Sequence, residues 1–168
     1  NVGWGFTDAN GYYTKSGLPA GTYYASSGNY GGYINETYRD RKCPPDCGVT
    51  NGTPIPVTDG LTTTGIDFAL DLGGSIAGRV TDAVSGVPLP NAMVEILTAT
   101  GPFAGACHSE ASGAYRTCGG LPPGTYYAKL EGVPGHLGEL YQDLPCLGCD
   151  ATGGTPISPT PRIGSPLS

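Results

Sequence analysis

Apolar and polar residues alternate along this chain with a period of two, the spacing that sends successive side chains to opposite faces of a β-strand. Across 65–72, Ile66, Phe68, Leu70 and Leu72 fall on one face while Asp67 and Asp71 fall on the other, which predicts a strand. Ile76 and Val80 share an inner face past Gly78 with Arg79 outside, and Val94 and Ile96 do the same within 92–97. Turn chemistry separates these runs. Asn10-Gly11 and Ser112-Gly113 supply the positive φ that hairpin turns need. Pro19 and Pro122 open a turn that Gly21 and Gly124 close. Helix formers are scarce while Tyr, Thr and Gly abound, so the reading is all-β.

An internal repeat organises the strands. Leu18-Pro-Ala-Gly-Thr-Tyr-Tyr-Ala25 returns as Leu121-Pro-Pro-Gly-Thr-Tyr-Tyr-Ala128. Upstream, 7–13 matches 109–115. Downstream, Glu36-x-Tyr38-x-Asp40-x-x-Cys43 matches Glu139-x-Tyr141-x-Asp143-x-x-Cys146, and 52–55 matches 154–157. The offset is 102 or 103 throughout, so insertions fall in loops. Gly73-Gly74 lies between the strand ending at Leu72 and the one beginning near Ser75, which sets a boundary between 1–72 and 73–168. A link that short predicts a semi-rigid rod. The first repeat lacks a counterpart of 73–101 and therefore its N-terminal strands. The second lacks a counterpart of 65–72 and ends in an irregular tail with three Pro from Ser158 onward.

The run Gly78-Arg-Val-Thr-Asp82, then Gly86-x-Pro-Leu-x-x-Ala92-x-Val94, Gly113-x-Tyr115 and Leu121-Pro-x-Gly-x-Tyr126 resembles the carboxypeptidase regulatory-like domain. The resemblance implies two tandem transthyretin-like or Ig-like Greek-key β-sandwiches, related to the B-type repeats of Gram-positive adhesins. With its Glu-x-Tyr and paired-Cys loop, the chain is similar to repeats in large secreted bacterial proteins. Such domains serve as spacers, stalks and binding accessories alike, so the resemblance speaks to fold more than to function.

Composition narrows the classes. With 29 Gly and 16 Pro among 168 residues, disorder comes into question, and the repeat answers it. A net charge of −6 with 8 basic residues excludes a dedicated nucleic-acid binder. No apolar run approaches the roughly 18 residues of a membrane span. Asn1 stands where Met would start a chain, and no basic region leads into an apolar stretch, so the sequence reads as a mature or clipped product.

Six cysteines carry the clearest chemistry. Cys43 and Cys47, and Cys146 and Cys149, occupy the same loop in each repeat, and Cys107 and Cys118 flank the Ser112-Gly113 turn symmetrically. Disulfides in an oxidising compartment are the favoured reading over zinc or redox chemistry. Asn35-Glu-Thr37 and Asn51-Gly-Thr53 fit the N-glycosylation pattern. Catalysis finds no footing: His108 and His136 have no nucleophile or carboxylate placed by motif, and Glu36 shares a face with Tyr38, whose hydroxyl can satisfy it. Neither a cofactor nor a metal site is expected; Lys15, Lys42 and Lys129 occupy places that do not match between repeats, which argues against intramolecular Lys-Asn bonds. The expectation is a structural, non-enzymatic subunit of an extracellular bacterial fibre or stalk. It would assemble head to tail with copies of itself through Val2, Trp4, Phe6 and Ile163, and it would carry glycans. The rival expectation is a carbohydrate- or surface-binding module, using the outward members of the Tyr pairs.

Overall fold

The computed structural model describes residues 2–39, 41–43 and 48–161, and it is almost entirely β. The first repeat contributes β1 (Gly21–Tyr23), β2 (Glu36–Thr37), β3 (Arg41–Lys42) and β4 (Ile55–Val57). The second contributes β5 (Gly74–Ser75), β6 (Ala77–Arg79), β7 (Met93–Thr98), β8 (Phe103–His108), β9 (Ala114–Arg116), β10 (Tyr126–Glu131), β11 (Glu139–Leu140), β12 (Leu144–Pro145) and β13 (Thr160–Pro161). All ladders are antiparallel. The largest sheet runs β12-β11-β10-β7-β8, and four two-stranded pairs, β1-β4, β2-β3, β6-β9 and β13-β5, complete the set. A 3₁₀ turn precedes the last strand of each repeat, at Val49–Asn51 and Ala151–Gly153.

The core explains why β7 and β10 are the longest ladder. Val94 and Ile96 from β7 and Tyr126 and Ala128 from β10 are buried on one face of the large sheet. Ala104 and Cys107 from β8 join this cluster, and against it lie Ile76 and Val80, which flank β6, together with Leu121. This two-layer, sandwich-like packing is where apolar burial stabilises the fold most. The first repeat has far less. Of the buried apolar side chains, only Ile34, Cys43 and Ile55 belong to 1–72 among the described residues. Among the described residues, the ladders within 1–72 are two or three residues long, against six for β7–β10.

Where both repeats have the relevant residues, the same contacts recur. Tyr23 pairs with Ile55 and Tyr126 with Ile157; Ser26 bridges Thr37 as Lys129 pairs with Leu140. The Tyr23 hydroxyl donates to the Pro19 carbonyl at 2.9 Å, and Tyr126 donates to Pro122 at 2.8 Å. Both tyrosines thereby pin the Leu-Pro turn four residues before them. The turn after each Tyr strand also repeats, with Arg39 at φ 70° and Gln142 at φ 71°.

A backbone seam joins the two repeats. Gly73 N–H donates to Gly32 O at 2.9 Å and Gly120 N–H donates to Tyr33 O at 3.0 Å. Gly74 and Leu121 exchange N–H···O bonds of 2.9 Å in both directions. The approach is too close for any side chain on Gly120, where a Cβ would stand 2.2 Å from Gly32 O. A Cβ on Gly73 would stand 2.6 Å from the Gly120 backbone.

Two expectations change. The segment 65–72 keeps its alternation, with Ile66, Phe68 and Leu70 half-buried and Asp67 and Asp71 exposed, but it forms no ladder. Leu72 makes one bridge to Tyr33; the rest is held by Tyr13 OH on Ile66 O, Tyr38 OH on Gly65 O and Glu36 Oε1 on Ala69 N–H. Side chains have taken the place of a partner strand. The Ser112-Gly113 turn is closed by Gly113 N–H on Glu110 O and Glu110 N–H on Ala114 O, both at 2.8 Å, but beyond it β8 pairs with β7 while β9 pairs with β6. The chain crosses between layers at that turn.

Gly120→Ala is expected to lower the unfolding free energy by about 1–3 kcal/mol, since backbone must move to admit the methyl. Gly153→Ala, where a Cβ meets nothing within 4 Å, should change it by less than about 0.5 kcal/mol. Urea denaturation followed by intrinsic fluorescence reads both.

Candidate functional site

Val2, Trp4 and Phe6 are 63%, 73% and 87% exposed. Their counterparts in the second repeat lie on β8, where Ala104, the match of Val2, is 1% exposed because β8 lies along β7. Gly3 at φ 131° and Gly105 at φ 158° show that the backbone departs from the usual strand region at the same place in both. Three large apolar side chains thus stand in water along a segment whose repeat is a paired strand. Tyr13 anchors the following loop, packing its ring 6.3 Å from Phe68. Ile163 lies outside the described residues.

The glycosylation candidates differ in access. Asn35 is half-buried; its Oδ1 accepts from Asn29 Nδ2 at 2.8 Å and its carbonyl accepts from Cys43 N–H at 3.0 Å. Thr37, the third residue of that pattern, is buried with its hydroxyl unpartnered. Asn51 is exposed on the 3₁₀ turn, with Thr53 half-exposed beside it. The folded chain therefore offers Asn51 to a modifying enzyme and withholds Asn35.

Glu36 is almost wholly buried, and its Oε1 accepts the Ala69 N–H at 3.2 Å. The Tyr38 hydroxyl, expected to satisfy that carboxylate, instead donates to Gly65 O at 3.2 Å. Both residues clamp the 65–72 segment. A shallow cleft beside them is lined by Tyr38, Arg39, Gly65, Asp67, Phe68 and Ala69, and the Arg39 guanidinium lies 5.7 Å from the Tyr38 ring centre. Within the Tyr pairs, Tyr12 and Tyr24 are exposed, but Tyr127 packs against the cluster of Leu140, Cys146 and Ala151. The second repeat therefore does not repeat an outward Tyr at that place.

Cys146 and Cys149 form a disulfide with Cα atoms 5.2 Å apart. Cys43 is disulfide-bonded, and Cys47 lies outside the described residues. Cys107 and Cys118, expected to form a bridge, are free thiols; beyond the 110–114 turn β8 and β9 part into different ladders. Cys107 is buried in the core and Cys118 is exposed. Burial, with the Cys118 thiol nearby, pushes the Cys107 thiol up to about 11.

One long-range polar contact was not legible in the sequence. His136 Nε2 lies 3.0 Å from Asp82 Oδ2, joining two loops of the second repeat, while Nδ1 lies 3.2 Å from Pro134 O. Asp82 Oδ1 also accepts from Ser85 Oγ at 2.7 Å, Ser85 N at 2.6 Å and Val84 N at 3.1 Å. Those Ser85 bonds, and His136, hold the Asp82 carboxyl well below the usual carboxylate range. The hydrogen bond to Asp82, with that to Pro134, raises His136 above its ordinary value; Glu139 adds to the effect. Ser85 donates to Asp82 rather than to the imidazole, so no activated nucleophile results.

Among the described residues, no group of three or more His, Cys, Asp or Glu side chains is placed to hold a metal ion, and no helix is long and apolar enough to cross a membrane. No protein-family model, curated protein or solved structure matches this chain.

Under native conditions Cys118 should react with a thiol reagent while Cys107 reacts only after unfolding, and mass spectrometry of labelled peptides distinguishes them. The Asp82–His136 contact sets a pH dependence of known sign. A folded-state His136 value above 6.5 contributes stability that is complete below that pH and disappears as pH rises through the raised value. Asp82 contributes above its ordinary 3.8 and loses that contribution as pH falls toward its lowered value. NMR titration should place His136 above 6.5, and Asp82→Asn should bring it down.

Proposed function

We propose that this chain is a structural subunit of an extracellular bacterial fibre or surface stalk. In this reading it is built from two tandem transthyretin-like, Greek-key sandwiches. The observation that carries the proposal is the exposure of Val2, Trp4 and Phe6 on a segment whose counterpart, β8, is a paired strand. A segment with an exposed apolar flank offers a surface on which a further strand can dock. A neighbouring copy supplies it, and because the complementary surfaces lie on different parts of the subunit, the contact is heterologous and propagates into a linear polymer.

Other features fit that role. Backbone hydrogen bonds and buried glycines fix the joint between repeats, which favours a stiff unit over a flexible tether. Disulfide-closed loops suit an oxidising surrounding outside the cell. Glycan at Asn51 projects from an exposed turn. The His136–Asp82 pair and the buried Glu36 hold loops together, which is the work of a scaffold.

Electron microscopy and sedimentation of the native protein, without reduction or denaturant, test the reading. The wild type should form filaments with a regular axial repeat. Trp4→Asp, which places a charge on the unpaired flank, and deletion of residues 1–6 should each leave short particles with unchanged circular dichroism. Normal filaments from either variant would overturn the strand-addition mechanism. A monodisperse wild type that binds an immobilised glycan would replace the fibre with a binding module.

A further inference from the structure

Basic charge is concentrated at one place in an acidic chain. The run Arg39-Asp40-Arg41-Lys42 holds three of the eight basic residues and one carboxylate, in a protein whose net charge is −6. Lys42 is ion-paired with Asp71, and Arg41 Nη1 donates to Asn51 O. Arg39 pairs with no carboxylate among the described residues. Its guanidinium instead lies 5.7 Å from the centre of the Tyr38 ring, a cation–π contact that leaves its N–H donors unused. Arg39 makes the turn after the Tyr strand at φ 70°, as Gln142 does at φ 71° in the second repeat, and only the first repeat presents a charge there.

Tyr38 and Arg39 form a saddle between two open troughs of about 450 and 490 Å³, each within the roughly 300–1,000 Å³ of ligand sites. The walls differ. One trough has the Phe68 ring and the Asp67 carboxylate; the other has Arg41 and Thr53. One side of the saddle therefore offers an acceptor beside aromatic rings, and the other offers two guanidiniums. The segments that carry these groups are tied to one another inside the first repeat, by Tyr38 OH on Gly65 O and Arg41 on Asn51 O.

We infer that this saddle binds an acidic polysaccharide, one whose sugar rings carry carboxylates. A uronic-acid residue matches both walls at once. Its carboxylate accepts from the planar forks of Arg39 and Arg41, its hydroxyls donate to Asp67, and its C–H face rests on Tyr38 or Phe68. A bare anion would face the like charge of Asp67 and leave the rings uncovered. A neutral sugar would leave the guanidiniums without a counter-charge. Troughs open on both sides of a saddle suit a chain that continues past the site, not a small molecule to be enclosed. The inference adds a ligand to the fibre reading and does not rest on it.

Fluorescence polarisation of an end-labelled galacturonic acid hexamer, titrated with the full chain made without sugar at Asn51, reads binding by particles and filaments alike. The acidic hexamer should bind at least about tenfold more tightly than a galactose hexamer, and less tightly as salt rises. Arg39→Gln should weaken it by about tenfold or more. That variant should fold, since Gln142 holds the equivalent turn, and circular dichroism verifies it. Lys15→Gln, at an exposed lysine elsewhere in the first repeat, should bind as the wild type does. No binding of the acidic hexamer at about 1 mM protein overturns the inference. So does binding that Arg39→Gln leaves intact. A glutamate hexapeptide bound equally well also overturns it, because the site would then take any anionic chain, acidic peptides included. Filament formation is scored separately: a chain that polymerises without binding the hexamer keeps the fibre and loses the ligand, and one that binds without polymerising does the reverse.

Discussion

The carbonyls of Gly32 and Tyr33 receive the N–H groups of Gly73 and Gly120, and the relation between the two halves of the molecule depends on that exchange. It requires an approach at which a single methyl on Gly120 would collide with Gly32 O. Around it, Gly74 and Leu121 bond reciprocally, Leu121 enters the core of the second repeat, and Leu72 bridges Tyr33. The seam therefore couples a core, a linker and a turn of the preceding repeat through a handful of main-chain bonds. Buried main-chain groups that lacked these partners would be costly to leave unpaired.

Against that fixed joint, the two repeats differ in how they are held. The second has a layered apolar core seeded by β7 and β10. The first substitutes polar clamps for packing: Glu36 on Ala69, Tyr38 on Gly65 and Tyr13 on Ile66, with Lys42 ion-paired to Asp71. Burying a carboxylate such as Glu36 is favourable only while its hydrogen bonds hold.

The sequence already displayed the parts of this fold that depend on near neighbours. The Leu-Pro-x-Gly-Thr-Tyr-Tyr motif announced the turn that Tyr23 and Tyr126 pin four residues back, and the burial of Ile76, Val80, Val94 and Ile96 follows the period of two. Symmetry about Ser112-Gly113 marked a turn that Glu110 and Ala114 close, but spacing cannot reveal that beyond it β8 finds β7 and β9 finds β6. The alternation of 65–72 predicted the half-burial of Ile66, Phe68 and Leu70, but Leu72, placed on the same face, is exposed, and nothing in the spacing told whether a strand would lie beside them. For the candidate interface, Val2, Trp4 and Phe6 were visible as apolar residues without a partner. The seam glycines were not, since Gly32 and Gly120 meet only after folding, and nothing local marks either of them. The His136–Asp82 contact was hidden for the same reason, spanning 54 residues.

A joint made of uncharged main-chain groups responds differently to its surroundings from one made of ions. Ionic strength screens paired charges such as Asp82 with protonated His136 or Lys42 with Asp71, and acid or alkali discharges them. The bonds among Gly32, Tyr33, Gly73 and Gly120 involve no titrating group, so neither changing salinity nor pH alters them directly. The main-chain joint between the two halves is therefore independent of the charge state of the loops around it.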